Sequence, residues 1–279
     1  MAVAMKVALH SAAPRLGDVA ANVTRVREAL QGDDELVVFP ELFLTGYNIG
    51  DDVQRLAFKD RDERLVPLME ACEQHGTHLV VGAPHTPRRG LTYNGALCID
   101  DAGAVNWVHK RALPTFTTFR EALFFARGEK QTPWFTRFGA LGVGICYDLY
   151  FPEIQRRQAL EEADVLLNIS ASPSSSRRFF EALLPARAIE NACFSLYSNN
   201  VGAQDGLVFW GGSQAWGPRG ELLGRAEAYE EGVVRVDLDL DDVEAAREFR
   251  PTLRDAGPGG LGEGDLEPVE AHGAGAPDR

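Results

Sequence analysis

The stretch of sequence that decides the fold runs from residue 141 to residue 153 and reads LGVGICYDLYFPE. Its first half is apolar and is punctuated by Gly142 and Gly144, which predicts a buried strand with close backbone approach. Pro152 suits the first turn of a helix, because proline lacks the amide hydrogen that this position leaves unpaired. The stretch therefore predicts a strand, a sharp turn and a helix, with Cys146 at the turn.

A cysteine at such a turn has two interpretations. The first is a buried structural thiol, the usual fate of cysteine and our expectation for Cys72, Cys98 and Cys193. The second is a nucleophile, because the N–H groups that follow, beginning with that of Tyr147, can bind an oxyanion and lower the pKa of the thiol. Taken alone, these residues leave both interpretations of Cys146 open.

Outward from this stretch, strand-like and helix-like segments interleave along the chain. This order favours buried sheets covered by helices, with catalytic groups at the carboxyl ends of strands. Asp18 and Asp241 are the predicted N-caps of the first and the last helix. The predicted helices are 18–30, 64–75, 152–161, 177–191 and 241–249, and the predicted strands are 6–9, 36–39, 78–82, 140–146, 165–170, 194–198 and 232–238.

Glu41 follows an apolar strand in the run LVVFPELFLTGY, residues 36 to 47. An isolated glutamate at a strand end usually faces water. The alternative is a desolvated carboxylate that serves as a general base. The residues around Glu41 favour the first interpretation on their own.

Lys110 lies in the run WVHKRALPTF, residues 107 to 116. Basic clusters of this kind are usually solvated turns, but a lysine that turned inward could stabilise an oxyanion. A Cys–His pair is the commoner way to activate a thiol, and His109 is the one histidine worth testing in that role. Histidine and cysteine show no metal-ligand spacing, so we expect neither a metal nor a cofactor.

The composition excludes several classes of partner. Hydrophobic residues make up 45% of the chain, which is typical of a folded globular protein. The formal net charge is −13, which argues against nucleic acid or an anionic membrane surface as a partner. No run approaches the about 18 apolar residues of a membrane span, and the four cysteines are too scattered for a disulfide framework. We therefore expect a cytoplasmic protein with free thiols.

Residues 256–279, with seven glycines, three prolines and five acids, are predicted to form a disordered tail after a domain of residues 1–255.

Three of these motifs, FPELFLTGY, HKRALP and GVGICYDLYFPE, occur in this order and together resemble the signatures of the nitrilase superfamily of carbon–nitrogen hydrolases. The resemblance extends over about 250 residues and includes VLLNISASP and FREALFF. It implies Glu41 as general base, Lys110 as oxyanion stabiliser, Cys146 as nucleophile and Glu121 as a further glutamate that holds the site. Tyr47, Phe116 and Ser170, within or beside these motifs, are the predicted substrate-binding residues.

The resemblance also implies an α/β fold, a four-layer α-β-β-α sandwich, and a homodimer or higher homo-oligomer. The implied activity is hydrolysis of a small linear carboxamide through a cysteine thioester. A glutamine-hydrolysing ammonia supplier for a separate synthetase, an N-carbamoyl hydrolase and a nitrilase are the enzymatic alternatives, and a binding protein is the non-enzymatic one. Amidases that resemble ICYDLYFPE usually carry arginine where this chain has Tyr150, which argues against a carboxylate-bearing substrate.

Overall fold

Two six-stranded sheets dominate the computed structural model, which describes residues 4–129 and 131–256. Within these residues the strands are β1 (Ala4–Ser11), β2 (Leu36–Val38), β3 (His78–Arg88), β4 (Leu91–Ile99), β5 (Val105–His109), β6 (Trp134–Thr136), β7 (Gly139–Ile145), β8 (Ala163–Ser170), β9 (Phe194–Asn199), β10 (Val201–Gln204), β11 (Leu207–Trp210), β12 (Gln214–Trp216), β13 (Leu222–Arg225) and β14 (Gly232–Asp239). The α-helices are α1 (Val19–Ala29), α2 (Val53–Leu56), α3 (Val66–His75), α4 (Pro152–Leu160), α5 (Arg177–Asn191), α6 (Asp241–Phe249) and α7 (Thr252–Ala256).

Each sheet has a parallel centre. The first has the order β14-β1-β2-β3-β4-β5 with β1, β2 and β3 parallel, and the second has the order β13-β12-β9-β8-β7-β6 with β7, β8 and β9 parallel. Because parallel strands end at the same edge of a sheet, the segments after β7 and β8 lie at one edge of the second sheet, and the segment after β2 lies at an edge of the first. Strands β10 and β11 form a separate two-stranded ribbon.

Side-chain alternation along the strands builds the layers. In β1, Val7 and Leu9 belong to the core between the sheets, whereas Ala8 packs with residues of α1 and α3. In β8, Leu167 faces the first sheet and Leu166 packs with the α4 residue Ala159. Both sheets are therefore covered on their outer faces, which gives the four-layer α-β-β-α sandwich that the resemblance implied.

The structure contains all of the predicted strands and helices, with shifts of at most two residues at their ends, except that the predicted strand 78–82 continues to Arg88. Asp18 caps α1, since its side chain accepts a hydrogen bond from the Ala21 N–H at 3.1 Å. The prediction for Asp241 is wrong: α6 starts at this residue, which itself donates its N–H to Asp239 Oδ1. The predicted tail lies outside the described residues apart from Ala256, which ends α7.

Among the helices of residues 4–129 and 131–256, none combines the length and the hydropathy of a membrane span.

Candidate active site

Cys146 lies at the turn that the sequence predicted. Strand β7 ends at Ile145, and Cys146 opens a 3₁₀ turn, Cys146–Tyr150, that leads into α4. Its φ of 47° is in the left-handed region, which a residue with a Cβ rarely adopts and which is often found at functional turns. The side chain is 7% exposed. The backbone therefore aims a nearly buried thiol off the end of the strand.

Asp148 fixes this turn, and the sequence analysis gave it no role. Its fully buried carboxylate accepts the N–H of Ile145 at 3.1 Å, the N–H groups of Arg111 and Ala112 at 3.1 and 2.7 Å, and Nε2 of Gln131 at 3.0 Å. One side chain thus ties the cysteine turn to the segment after Lys110. A lone acid two residues after the cysteine, in an otherwise apolar run, was the available signal.

Glu41 is completely buried, so the interpretation that it faces water is wrong. Its Oε1 accepts hydrogen bonds from Lys110 Nζ at 2.6 Å and from Asn94 Nδ2 at 2.7 Å. Its Oε2 accepts the N–H of Ala171 at 2.7 Å. Three partners therefore hold the carboxylate, and the Asn200 side chain holds the backbone of the same residue by donating to the Glu41 carbonyl at 2.9 Å.

Gly82 allows the Glu41 segment to approach β3. A Cβ at Gly82 would lie 2.1 Å from the Leu42 nitrogen and 2.5 Å from the Glu41 Cα, distances that no real Cβ tolerates. Leu42 has a φ of 50°, and the Leu44 N–H donates to the Gly82 carbonyl at 3.1 Å. The chain after β2 is therefore folded tightly against β3, which places Glu41 inside the molecule.

Lys110 directly follows β5 and is also completely buried, which excludes the solvated-turn interpretation. Its Nζ contacts Glu41 Oε1 at 2.6 Å and Glu121 Oε1 at 2.7 Å. Burial lowers the pKa of Lys110, but the carboxylates of Glu121 and Glu41 outweigh it, so the pKa is raised overall. The ammonium is therefore a permanent charge at the centre of the site.

Glu121 is the second carboxylate on this ammonium. Burial raises its pKa to about 7, with Lys110 opposing and Glu41 adding to the rise. Tyr47, predicted to bind substrate, donates its hydroxyl to Glu121 Oε1 at 2.7 Å. Burial, followed by the charges of Glu121 and Glu41, raises the pKa of Tyr47 well above its usual value, so it remains a donor.

The Cys146 thiol is in electrostatic contact with this group. Burial and the Glu41 carboxylate raise its pKa well above the usual value, while Lys110 and a hydrogen bond from the Ala171 N–H lower it. The expectation of a depressed thiol pKa is therefore wrong, because desolvation outweighs the nearby donors. The Ala171 N–H is a partner of both the Cys146 sulfur and Glu41 Oε2, which places the thiol beside the carboxylate.

The other predicted site residues lie around this centre. The Phe116 ring is 47% exposed and its centroid lies 5.2 Å from that of Tyr147, which follows Cys146 in the 3₁₀ turn. Ser170 ends β8, is fully buried and donates its hydroxyl to Asn168 Oδ1 at 2.7 Å. The oxyanion role of the Tyr147 N–H and the substrate contacts of Tyr47, Phe116 and Ser170 stay predictions.

The His109 side chain contacts other residues than its neighbour Lys110 does. Its Nε2 lies 2.9 Å from Nδ1 of His85, whose Nε2 lies 2.9 Å from Asp60 Oδ1. Burial, followed by the neighbouring His85, lowers the pKa of His109 to about 4. The structure therefore brings Glu41, Lys110, Glu121 and Cys146 together and groups His109 with a separate cluster.

Two further observations concern disulfide bonds and metal ions. All four cysteines are free thiols, as predicted. Across residues 4–129 and 131–256, no group of three or more His, Cys, Asp or Glu side chains has an arrangement that could hold a metal ion.

Comparison with known proteins identifies the class of protein that this fold and site define. The family model described as carbon-nitrogen hydrolase matches residues 6–248. A glutamine-dependent NAD(+) synthetase of Aquifex aeolicus is 32% identical over 240 residues, which cover 83% of this chain but 42% of the synthetase. The chain thus spans less than half the length of that relative. An (R)-stereoselective amidase of Pseudomonas sp. is 34% identical over 256 residues, which cover 90% of this chain and 91% of the amidase.

A solved structure of a variant amidase from Nesterenkonia sp. AN1 is similar over 90% of this chain and 95% of that one, with a TM-score of 0.76 and 29% identity. That structure shows covalent addition of the acetamide moiety of fluoroacetamide at the active-site cysteine. The chain belongs to the nitrilase superfamily of carbon–nitrogen hydrolases, as its three motifs predicted.

Proposed function

We propose that this protein is an amidase that hydrolyses a small linear carboxamide to a carboxylic acid and ammonia through a cysteine thioester. The observation that carries the proposal is the buried group of Glu41, Lys110 and Cys146, linked by the Ala171 N–H. Acyl transfer from an amide needs a nucleophile, a base and a cation that stabilises the oxyanion, and this buried site contains all three types of group.

The raised pKa of Cys146 sets the first step, because the resting thiol keeps its proton. As the sulfur attacks the amide carbonyl carbon, Glu41 accepts that proton, so the burial of an isolated thiolate is avoided. The carbonyl π electrons move to oxygen, and the Lys110 ammonium and the Tyr147 N–H stabilise the resulting oxyanion.

Collapse of this intermediate breaks the carbon–nitrogen bond. The electron pair of that bond stays with nitrogen, Glu41 returns its proton to it, and ammonia leaves a thioester on Cys146. Glu41 then takes a proton from water as the water oxygen attacks the thioester. Returning this proton to sulfur completes the release of the acid and restores the thiol, so one carboxylate serves as base and acid in turn.

The surroundings of Cys146 favour an uncharged acyl group. Tyr150 stands where related amidases usually carry arginine; its ring centroid lies 5.2 Å from that of Tyr147 and 5.6 Å from that of Phe180. Lys110, the cation nearest the reacting atoms in this proposal, already binds two carboxylates. A carboxylate on the substrate would therefore lose hydration here without gaining a partner.

Two relatives bear on the choice of substrate. The similarity to the (R)-stereoselective amidase, which extends over most of both chains, supports the amidase proposal. The similarity to glutamine-dependent NAD(+) synthetases supports a second candidate, hydrolysis of glutamine to supply ammonia to a separate synthetase.

We place the enzyme in the cytoplasm and expect it to form a homodimer or a higher homo-oligomer.

An ammonia-release screen tests both candidates. The panel contains acetamide, propionamide, glutamine, a nitrile and an N-carbamoyl amine, and each is assayed with wild type, Cys146→Ala and the matched control Cys72→Ala. We expect turnover of the simple amides, a loss of about 10³-fold or more in Cys146→Ala, and wild-type rates in the control. Preferred turnover of glutamine would replace the first candidate by the second. Equal activity in Cys146→Ala and wild type would overturn both.

A further inference from the structure

A cationic cavity that is open to solvent lies at the turn between β3 and β4, and the cationic side chains that line it are exposed. Its volume is about 710 Å³, within the range of small-molecule sites, and its lining includes Lys59, Arg61, Arg88 and Arg89. Among the described residues, no carboxylate lies within ion-pair distance of any of these four side chains. Four free cations at one cavity are unexpected in a chain with a net charge of −13.

The nearby carboxylates are engaged elsewhere. Asp60, the acid in the cavity lining, contacts His85 Nε2 at 2.9 Å. Asp62 binds the guanidinium of Arg64 at 2.7 Å. Asp62 and Arg64 cancel each other's charge. Asp60 keeps its negative charge, because burial lowers the pKa of its partner His85 and leaves the imidazole neutral. The lining therefore carries four positive charges against one negative charge.

The cavity is built on fixed backbone. The segment that carries Lys59 and Arg61 is held against β3 by two hydrogen bonds, from the Phe58 N–H to the Pro84 carbonyl at 2.8 Å and from the Thr86 N–H to the Phe58 carbonyl at 2.7 Å. The Phe58 side chain is fully buried beneath it. The opposite wall is the tight hairpin turn between Arg88 and Leu91. The four cations therefore come from two segments whose separation the fold defines.

We propose that the cationic cavity binds a small phosphorylated molecule, with the four side chains on its phosphate groups. Guanidinium groups match the paired oxygens of a phosphate, and three arginines with one lysine suit a ligand that carries at least two negative charges. The site is separate from the catalytic group, so it stands or falls independently of the amidase activity.

Isothermal titration calorimetry with inorganic pyrophosphate tests the proposal, at 150 mM NaCl so that weak surface attraction is screened. We expect a dissociation constant below about 1 mM for wild type and a loss of about tenfold or more in the double variant Arg88→Glu, Arg89→Glu. The matched control is Arg219→Glu, Arg250→Glu, which makes the same charge change at two arginines lining a different pocket. Circular dichroism checks that each variant is folded, and Lys59→Gln, Arg61→Gln replaces the first double variant if it is not.

Three results would overturn the proposal. The first is the absence of pyrophosphate binding to wild type at this salt concentration. The second is an equal loss of affinity in the test and control variants, which would mean that overall charge alone attracts the anion. The third is tighter binding of citrate than of pyrophosphate, which would remove the argument for phosphate.

Discussion

A single ammonium, that of Lys110, stands between two buried carboxylates, and this imbalance governs the protonation of the site. One positive charge cannot neutralise both Glu41 and Glu121 in a region without solvent. The raised pKa of Glu121, about 7, is the expected result. Below that pH Glu121 holds a proton, which removes the excess negative charge.

This imbalance predicts how Glu121→Gln changes stability with pH. The folded protein holds the Glu121 proton up to about pH 7, whereas in the unfolded chain the pKa of this carboxyl has its ordinary value of 4.5. The contribution of this group is therefore fully present below pH 4.5 and is lost as pH rises through 7. Glutamine does not titrate, so from pH 5 to pH 8 the unfolding free energy of the variant rises relative to wild type by about 1 kcal/mol or more.

Urea unfolding of both proteins at several pH values in this range measures that difference. The control is Glu248→Gln, an exposed glutamate on α6, for which we expect a smaller change. A difference that stays constant from pH 5 to pH 8 would show that Glu121 is ionised in the folded protein throughout the range.

Lys110→Met separates the charge of this residue from its size. Loss of the cation leaves two buried carboxylates unpaired, so we expect about 3–5 kcal/mol less unfolding free energy at neutral pH. In the folded variant kcat should fall by about 10² or more, and the pKa of Cys146 should rise further, because Lys110 lowers it in wild type. Steady-state kinetics and the pH dependence of iodoacetamide alkylation measure these effects, with Lys6→Met as the exposed control. Unchanged kcat together with an unchanged alkylation profile would remove Lys110 from the mechanism.

At the scale of the element, the strands with clear apolar runs were predictable and the β4–β5 hairpin was not. Strand β4 contains Asn94 and Gly95, a pair typical of hairpin turns. Here the Asn94 side chain binds Glu41, and a Cβ at Gly95 would lie 3.0 Å from the Trp107 ring. Tertiary contacts therefore explain why these two residue types occur inside a strand. The combination of motifs predicted that Glu41, Lys110 and Cys146 belong to one site. Asp148 and Ala171 were not predicted, because they act through contacts with segments that are distant in the sequence.

The close approach of the Glu41 segment to β3 predicts a specific effect for Gly82→Ala. The added Cβ meets the backbone of Leu42 and Glu41, which cannot move aside as a flexible side chain can. We expect a loss of about 1–3 kcal/mol in unfolding free energy, and a fall in kcat because Glu41 is displaced from Lys110. In the control Gly232→Ala, the nearest atom lies 3.9 Å from the new Cβ, so both quantities should change little. Wild-type kcat in Gly82→Ala would show that the position of Glu41 does not depend on this contact.

At the scale of the whole molecule, the packed sandwich includes α6. Val243 of this helix is 2% exposed and packs in the core between the sheets. Arg247 binds Asp164 at 2.8 Å and donates to the Ala163 carbonyl at 2.9 Å, which fixes α6 to the start of β8. These contacts make α6 part of the folded unit, although the family model ends at residue 248.

Two truncations test where the folded unit ends. A chain that stops at Ala256 keeps α6 and α7 and removes only the glycine-rich and acidic residues, whose composition offers little apolar surface to bury. We expect it to retain the unfolding midpoint and the ammonia-release rate of the full chain. A chain that stops at Leu240 also loses Val243, whose burial is worth about 1.5–3 kcal/mol, and the Arg247 contacts, so its midpoint should fall clearly. Thermal unfolding monitored by circular dichroism compares the three chains. A loss of stability or activity in the chain ending at Ala256 would show that residues 257–279 contribute to the enzyme, contrary to the predicted disordered tail.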